Sequence, residues 1–240
     1  MAVAMKRKLL LIILIVCASV PMSYAQQYTA LEGLLHCPSA DMHERGTGRA
    51  ALSWLNKEFL PASYDTDCLA YSFAYSPFKW VEASFTGLVR KPGGIVYQDR
   101  MASLKFRPVA EKEGKWWWPS VVIGCNDPLS TLKTSDEDES NNRICNFYLA
   151  ISKHYMVAGK LGLHIAYRRF RKISNNKWNG AVGGISWQPC FLPELRLICE
   201  YDGAGCNLGA DAKLFGHLYL QAMSNRFKSF DCGLCFEFNL

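Results

Sequence analysis

The sequence predicts an all-β protein, an antiparallel transmembrane β-barrel of about 12 strands in an outer membrane. Three observations predict this fold: an export signal at the start, short segments in which apolar and polar side chains alternate, and a last segment that alternates as far as the C-terminus. Alternation with a period of two is typical of strands, because successive side chains of a strand point to opposite faces. The chain divides into a signal peptide, residues 1–25, and one outer-membrane β-barrel domain, residues 26–240.

The export signal has the three parts of a secretory signal peptide. Residues 6–8 are all cationic, an uncharged apolar stretch follows over residues 9–20, and Ser23-Tyr24-Ala25 has the small-x-small pattern of a cleavage site. The apolar stretch is too short for a transmembrane helix, which needs about 20 residues. We therefore expect cleavage after Ala25.

The composition after cleavage excludes some classes of protein. The formal net charge of +6 falls to +3, because residues 1–25 carry three cationic side chains and no acidic one. A charge this small gives no electrostatic support for nucleic-acid binding. No Pro/Ser linker or low-complexity tract divides the rest, so we expect one domain.

The cysteines do not form a recognisable framework. Nine remain after cleavage, and an odd number spread over a chain of this length argues against a disulfide scaffold. The Cys232-x-x-Cys235 spacing would suit redox or zinc chemistry in a turn. In a strand, an offset of three puts the two sulfurs on opposite faces, so we expect neither role.

The alternation is clearest over residues 228–240. Phe230, Cys232, Leu234, Phe236, Phe238 and Leu240 fall on one face, and polar or small residues fall on the other. A helix would spread these apolar side chains around its circumference, whereas a strand sorts them onto one side. Segments of about 9–11 residues match a tilted membrane-spanning strand. The predicted strands lie near residues 47–55, 67–76, 80–90, 99–108, 118–126, 143–153, 161–169, 179–187, 194–202, 205–213, 217–224 and 228–240.

The distribution of charge favours a membrane barrel over a soluble β-sandwich, which shows the same alternation. Charged side chains in the clearest strands fall on the polar face alone, as expected where a lipid-facing Arg or Lys would cost about 2–4 kcal/mol. Aromatic residues near the predicted strand ends resemble interfacial girdles. They are Trp80, Tyr97, Trp116, Trp117, Trp118, Trp178, Trp187 and Tyr201.

The polar face supplies the candidate functional residues. Its charges are of both signs, so we expect them to pair across neighbouring strands and to close the lumen rather than line an open pore. This lumen charge network comprises Glu82, Lys105, Arg107, Arg196, Glu200, Asp211, Lys213 and Glu237.

No enzyme signature accompanies this network. His164 and His217 lie on the polar face and could serve a hydrolase, but catalysis also needs a nucleophile and an orienting group, and no Gly-x-Ser-x-Gly motif is present. The acidic run over residues 135–142 lacks the Gly and distal Glu of a calcium loop, which favours a solvated loop tip over a cation site or a lipopolysaccharide contact. The run over residues 115–119 suits a membrane girdle better than a sugar-stacking platform. We expect no enzyme activity, cofactor or metal.

Several motifs resemble the YjbH-like family of Gram-negative outer-membrane proteins that are linked to exopolysaccharide and capsule production. Larger members of that family have much longer chains, and the many cysteines are a departure from it. The resemblance implies a barrel that assists polysaccharide secretion or assembly, with no catalytic residues to carry over. The matching stretches are Gly33-Leu34-Leu35, Pro38-Ser39-Ala40-Asp41-Met42, Gly46-Thr47, residues 118–124 with Asp127, Phe191-Leu192-Pro193, Glu200-Tyr201-Asp202 and Asn207-Leu208-Gly209.

The sequence thus favours a non-enzymatic barrel in the outer membrane of a Gram-negative bacterium, assisting exopolysaccharide or capsule secretion or envelope assembly. Its expected partners are outer-membrane lipid, a polysaccharide and other envelope export proteins, and no nucleic acid. The alternative is a secreted soluble β-sandwich that binds carbohydrate through its aromatic side chains.

Overall fold

The computed structural model describes residues 28–60, 64–112, 114–128, 144–171 and 177–240. The expected signal peptide, residues 1–25, and the acidic run, residues 135–142, lie outside these ranges. Among the residues that the structure describes, no helix is long enough and apolar enough to cross a membrane.

Twelve strands of the described chain form a single closed barrel, which confirms the predicted fold class. Each strand is antiparallel to its neighbours in the chain, and the last strand pairs with the first. The strands are β1 Thr47–Leu55, β2 Cys68–Phe78, β3 Val81–Arg90, β4 Tyr97–Val109, β5 Ser120–Asn126, β6 Asn146–Met156, β7 Gly159–Phe170, β8 Gly180–Pro189, β9 Leu195–Tyr201, β10 Cys206–Leu214, β11 Leu218–Asn225 and β12 Ser229–Asn239.

The pairing of β12 with β1 closes the barrel. Their register runs from Thr47 opposite Asn239 to Trp54 opposite Cys232. Beyond the strand, the Leu240 N–H donates to the Gly46 carbonyl at 2.9 Å. The alternation that continues to the C-terminus is therefore the pattern of a closing strand, which leaves no sheet edge unpaired.

The two faces of the barrel wall differ in chemistry as the alternation predicts. Outward side chains are large and apolar, and Ile165 and Phe230 are 67% and 64% exposed. Inward side chains are mostly polar and buried. Outward cations lie away from the middle of the outer surface: Arg100 and Arg169 near the ends of β4 and β7 at one end of the barrel, and Lys153 toward the other end on β6.

The two ends of the barrel differ in the length of their connections. One end, called here the C-terminal end, carries the start of β1, the end of β12 and the connections 79–80, 110–119, 157–158, 190–194 and 215–217. The opposite end, called the long-loop end, carries the connections 56–67, 91–96, 127–145, 171–179, 202–205 and 226–228.

Residues 28–43, which precede β1, lie inside the barrel. Every residue from Thr29 to His43 is buried, whereas Glu44 and Arg45 are exposed at the C-terminal end. We call residues 28–43 the plug. The sequence assigned them to the barrel domain but did not predict that they fill its interior.

Closure by β12 generates the first prediction. Deleting residues 236–240 removes the pairing of β12 with residues 47–50 of β1 and the hydrogen bond to Gly46. Backbone polar groups are then left unpaired at two new edges. We expect the truncated chain to lose the difference in gel migration between unheated and heated samples that marks a closed barrel. Leu240→Ala is the control, because that side chain is 83% exposed and the substitution keeps the backbone N–H. Barrel-like migration of the truncated chain would contradict closure by β12.

Candidate functional site

The candidate functional site is the occupied interior of the barrel. A barrel of twelve strands is wider than the eight-stranded kind that inward side chains can fill by themselves, so its centre needs additional material. The plug supplies an apolar part of that filling through Leu34, Leu35, Cys37, Ala40 and Met42. These residues pack in one buried cluster with Phe59, Val122, Tyr148, Ala150, Ala166, Val182, Ile198 and Met223.

Ile198 shows why this apolar cluster is needed. It is an apolar residue on the polar face of β9, where it interrupts an otherwise regular alternation between Leu195 and Tyr201. Its side chain is only 3% exposed because it packs in the cluster that the plug completes. The exception to the pattern therefore marks a contact with the plug.

Glu200 on β9 holds a turn of the plug through backbone groups. The turn is closed by the Leu34 N–H donating to the Cys37 carbonyl and by a bridge between Gly33 and Pro38. The N–H groups of Leu35, His36 and Cys37 donate to the Glu200 carboxylate at 2.9–3.0 Å. Consecutive N–H groups that point into one concavity form an anion-binding nest, so these backbone groups stabilise the buried carboxylate.

Arg168 on β7 binds a backbone carbonyl of the same turn, whereas Glu200 binds its N–H groups. Its guanidinium donates to the carbonyls of His36, Trp178 and Asp202 at 2.8–2.9 Å. Burial and the nearby Arg168 both lower the pKa of His36, so its ring is neutral at pH 7 despite the opposing effect of Asp202. The sequence analysis did not select Arg168, although it shares the inward parity of His164.

Glu82 on β3 binds His43, the last residue of the plug. The His43 Nδ1 lies 2.9 Å from Glu82 Oε1, the His43 backbone N–H donates to the same oxygen, and the Glu32 N–H donates to Oε2 at 3.3 Å. Lys105 on β4 lies 4.0 Å from Glu82 and donates to the backbone carbonyls of Glu32 and Asp41. These two wall residues therefore hold the plug at Glu32 near its start and at Asp41 and His43 near its end.

Glu32 brings a buried negative charge into the barrel. Its carboxylate oxygens lie 2.9 Å from His43 Nε2, 3.6 Å from Arg196 Nη1 and 4.0 Å from Arg49 Nη1. Removing one partner of such a group leaves an uncompensated charge, at a cost of about 3–5 kcal/mol. The plug and wall are thus electrostatically dependent on each other.

Cross-strand pairs complete the network. Arg196 on β9 donates to Asp211 on β10 at 3.1 Å, and Glu237 on β12 accepts from Arg49 on β1 and lies 3.3 Å from Lys213 on β10. Arg49 also lies over the Tyr219 ring at 4.6 Å. These contacts join β1, β9, β10, β11 and β12 on the side of the wall that faces Glu32.

The structure gives the sequence-selected charges three different environments. Glu82, Lys105, Arg196, Glu200 and Asp211 are buried around the plug, and Lys213 and Glu237 are partly buried beside Arg49. Glu200 does not pair with an opposite charge as expected: it accepts from backbone N–H groups of the plug and from Asn207 on the neighbouring strand β10. Arg107 is half-buried near the end of β4 and donates to the Lys79 carbonyl in the 79–80 turn.

The two histidines considered for hydrolysis lie in different places. His217 is exposed in the 215–217 connection, with its ring 6.2 Å from that of Phe236. His164 is buried, with Nε2 at 2.9 Å from Ser186 Oγ and Nδ1 at 2.8 Å from Ser152 Oγ. Asp41 of the plug lies 3.7 Å from the same Nδ1, farther away than Ser152. Ser186, the hydroxyl on the other ring nitrogen, is only 4% exposed.

The cysteines and aromatic residues follow the faces of the barrel. Cys232 is exposed and Cys235 is buried, as an offset of three in a strand requires, and none of the nine described cysteines is in a disulfide. Trp80, Trp116 and Trp117 are exposed at the C-terminal end. Trp178 does not belong to a girdle: it is 1% exposed and its ring lies 5.2 Å from that of His36.

A comparison with protein-family models finds one that matches residues 25–207, described as exopolysaccharide biosynthesis protein YbjH. The matched range contains the whole plug, strands β1 to β9 and the first residues of β10. No curated protein matches the chain significantly.

The contacts of Glu82 generate the second prediction. We expect Glu82→Gln to lower the free energy of unfolding by about 3–5 kcal/mol, because His43 and Lys105 lose their buried counter-charge. Glu44→Gln is the matched control: Glu44 pairs with Lys79 at 3.8 Å, both side chains are about 70% exposed, and such pairs contribute about 0–1 kcal/mol. Urea unfolding of the folded barrel measures both values. Equal losses would show that the plug is not held electrostatically.

Proposed function

The chain belongs to the family of exopolysaccharide biosynthesis protein YbjH, and from this membership we propose that it is a non-enzymatic outer-membrane barrel that assists exopolysaccharide or capsule secretion. The observation that carries the proposal is the family match over a closed barrel whose interior is occupied by its own N-terminal segment. The barrel and the family are compatible with a role in the envelope.

The outer surface supports insertion into lipid. Large apolar side chains cover the outside of the wall, including Phe73, Ile123, Phe147, Ile165 and Phe230, all more than half exposed. A soluble protein seldom exposes so continuous an apolar surface. A closed barrel satisfies every strand's backbone groups internally, as a hydrocarbon environment requires. The β-sandwich alternative is wrong about the fold, because all described strands belong to one closed sheet.

The two ends support an orientation. Outer-membrane barrels have short turns on the periplasmic side and longer loops outside. We therefore assign the C-terminal end to the periplasm and the long-loop end to the cell surface. Exposed tryptophans at the C-terminal end and Tyr97 and Tyr201 at the long-loop end suit the two interfaces.

The filled interior supports an accessory role. While the plug is held by Glu200, Arg168, Glu82 and Lys105, a polysaccharide chain has no route past it along the barrel axis. We therefore propose that the polymer crosses the membrane through another export protein and that this barrel acts beside it.

The proposed membrane surface generates the third prediction. Ile165 lies in the middle of β7, opposite Ile151 on β6 and Gly183 on β8, so Ile165→Arg places a charge near the centre of the lipid. The expected cost is about 2–4 kcal/mol near the midplane and about 0–1 kcal/mol near an interface. Phe215→Arg in the 215–217 connection is the control. The amount of folded protein in the outer-membrane fraction should fall for Ile165→Arg alone, and equal amounts would argue against a lipid-facing surface.

The proposed role generates the fourth prediction. Cells that lack this protein should secrete less exopolysaccharide, and the wild-type chain should restore secretion, measured as polymer in the medium and in the cell-bound fraction. Ser186→Ala should restore it equally, because the role proposed needs no nucleophile at His164. Unchanged secretion without the protein would contradict the role. Loss of secretion with folded Ser186→Ala would instead favour an enzyme.

A further inference from the structure

We infer that Asp41 of the plug, His154 of β6 and His164 of β7 form a binding site for a divalent transition metal of the zinc class, and that the metal fastens the plug to the wall. The site lies at the C-terminal end of the interior, apart from the network around Glu32 and Glu200. It is independent of the proposed role in polysaccharide secretion.

The three donor atoms already converge. Asp41 Oδ1 lies 3.4 Å from His154 Nε2, Asp41 Oδ2 lies 3.7 Å from His164 Nδ1, and one donor atom from each residue lies within 4.8 Å of the others. Zinc bonds of about 2.0–2.2 Å in a tetrahedral site separate neighbouring donors by roughly 3.3–3.6 Å. Only small side-chain movements are needed for all three residues to reach one ion.

Both histidines are oriented by partners on their other ring nitrogen. His154 Nδ1 lies 2.7 Å from Glu111 Oε2, and His164 Nε2 lies 2.9 Å from Ser186 Oγ. When those nitrogens carry the proton, His154 Nε2 is free to bind a metal beside Asp41. His164 Nδ1 is then also without a proton, with Ser152 Oγ at 2.8 Å and Asp41 Oδ2 at 3.7 Å. Metal-ligating histidines nearly always have such an outer partner, and a carboxylate behind the ring strengthens the ligand.

Glu111 is suited to this outer position. Its Oε2 is the atom that lies 2.7 Å from His154 Nδ1. Its Oε1 accepts from the His154 backbone N–H at 3.0 Å and lies 2.7 Å from Lys153 Nζ. The carboxylate is therefore held by three contacts.

The donor set selects the class of metal. Two imidazoles and one carboxylate suit zinc and its neighbours, whereas calcium and magnesium prefer oxygen donors alone. The Ser152 hydroxyl, 2.8 Å from His164 Nδ1, or a water completes a tetrahedron. Ser152 also accepts the Ala40 N–H at 2.8 Å, so the residue beside the ligand Asp41 is already fixed to β6.

A metal here would link three parts of the chain. Asp41 belongs to the plug, whereas His154 and His164 lie on neighbouring strands that pair through Ser152 opposite His164 and His154 opposite Gly162. Ser152 and Lys105 already hold this stretch of the plug through the backbone of Ala40 and Asp41, and a metal would add a side-chain link to it.

The fifth prediction is that the folded full-length barrel, stripped with a chelator and dialysed against zinc, retains one tightly bound zinc per chain by elemental analysis. His154→Gln should abolish that binding. Glu111→Gln keeps all three ligands and should weaken zinc affinity about 10- to 100-fold, measured by competition with a chelating dye. His217→Gln removes an exposed histidine outside the site and should bind zinc like the wild type.

Cobalt tests the identity of the ligands, because the chain also offers nine thiols. The cobalt-loaded wild type should show weak visible bands without the intense near-ultraviolet absorption of thiolate-to-metal charge transfer. His154 is 17% exposed and lies near the end of β6, so its substitution should leave the barrel closed, as gel migration will show. Zinc retention by folded His154→Gln equal to that of the wild type, or a thiolate band, would overturn the proposal.

Discussion

The structure depends on the satisfaction of buried charge inside the barrel. Glu32, Glu82 and Glu200 are each about 1% exposed or less, and a buried carboxylate is tolerated only where cations or N–H groups surround it. Glu32 comes from the plug and meets wall cations, whereas Glu82 and Glu200 come from the wall and meet the plug. Neither the plug nor the wall satisfies its charges alone, so the interior is stable only when both are assembled.

This mutual dependence explains how one narrow segment fills a wide barrel. The plug has no regular helix or strand, and most of its backbone groups must find partners outside itself. Glu200, Arg168, Lys105, Ser120 and Ser152 supply such partners from five different strands. Apolar contacts around Leu34 and Met42 fill the space between these polar contacts. The result is a fixed segment without secondary structure of its own.

The same interior limits what the protein does in an envelope. A lumen closed by its own chain suits a barrel that supports an export apparatus rather than the conduit itself. Opening the lumen would expose several buried charges at once, so any release of the plug would need a partner or a change in its contacts. The cluster of Asp41, His154 and His164 is the place where a bound metal would add to that resistance.

The sequence by itself determined the barrel, because a strand's period of two is a local property. The alternation located all twelve strands, the closing strand and eight charged residues of the polar face. It did not determine the plug, since residues 28–43 have no period and wall residues that bind them, such as Glu82 and Glu200, lie 39 and 164 residues away along the chain. The alternation also marks Arg168 as an inward cation and Ile198 as an inward apolar residue, but it does not show which residues they contact. Only closure of the barrel brings Asp41, Glu111, His154 and His164 together, because four separate segments must meet in three dimensions.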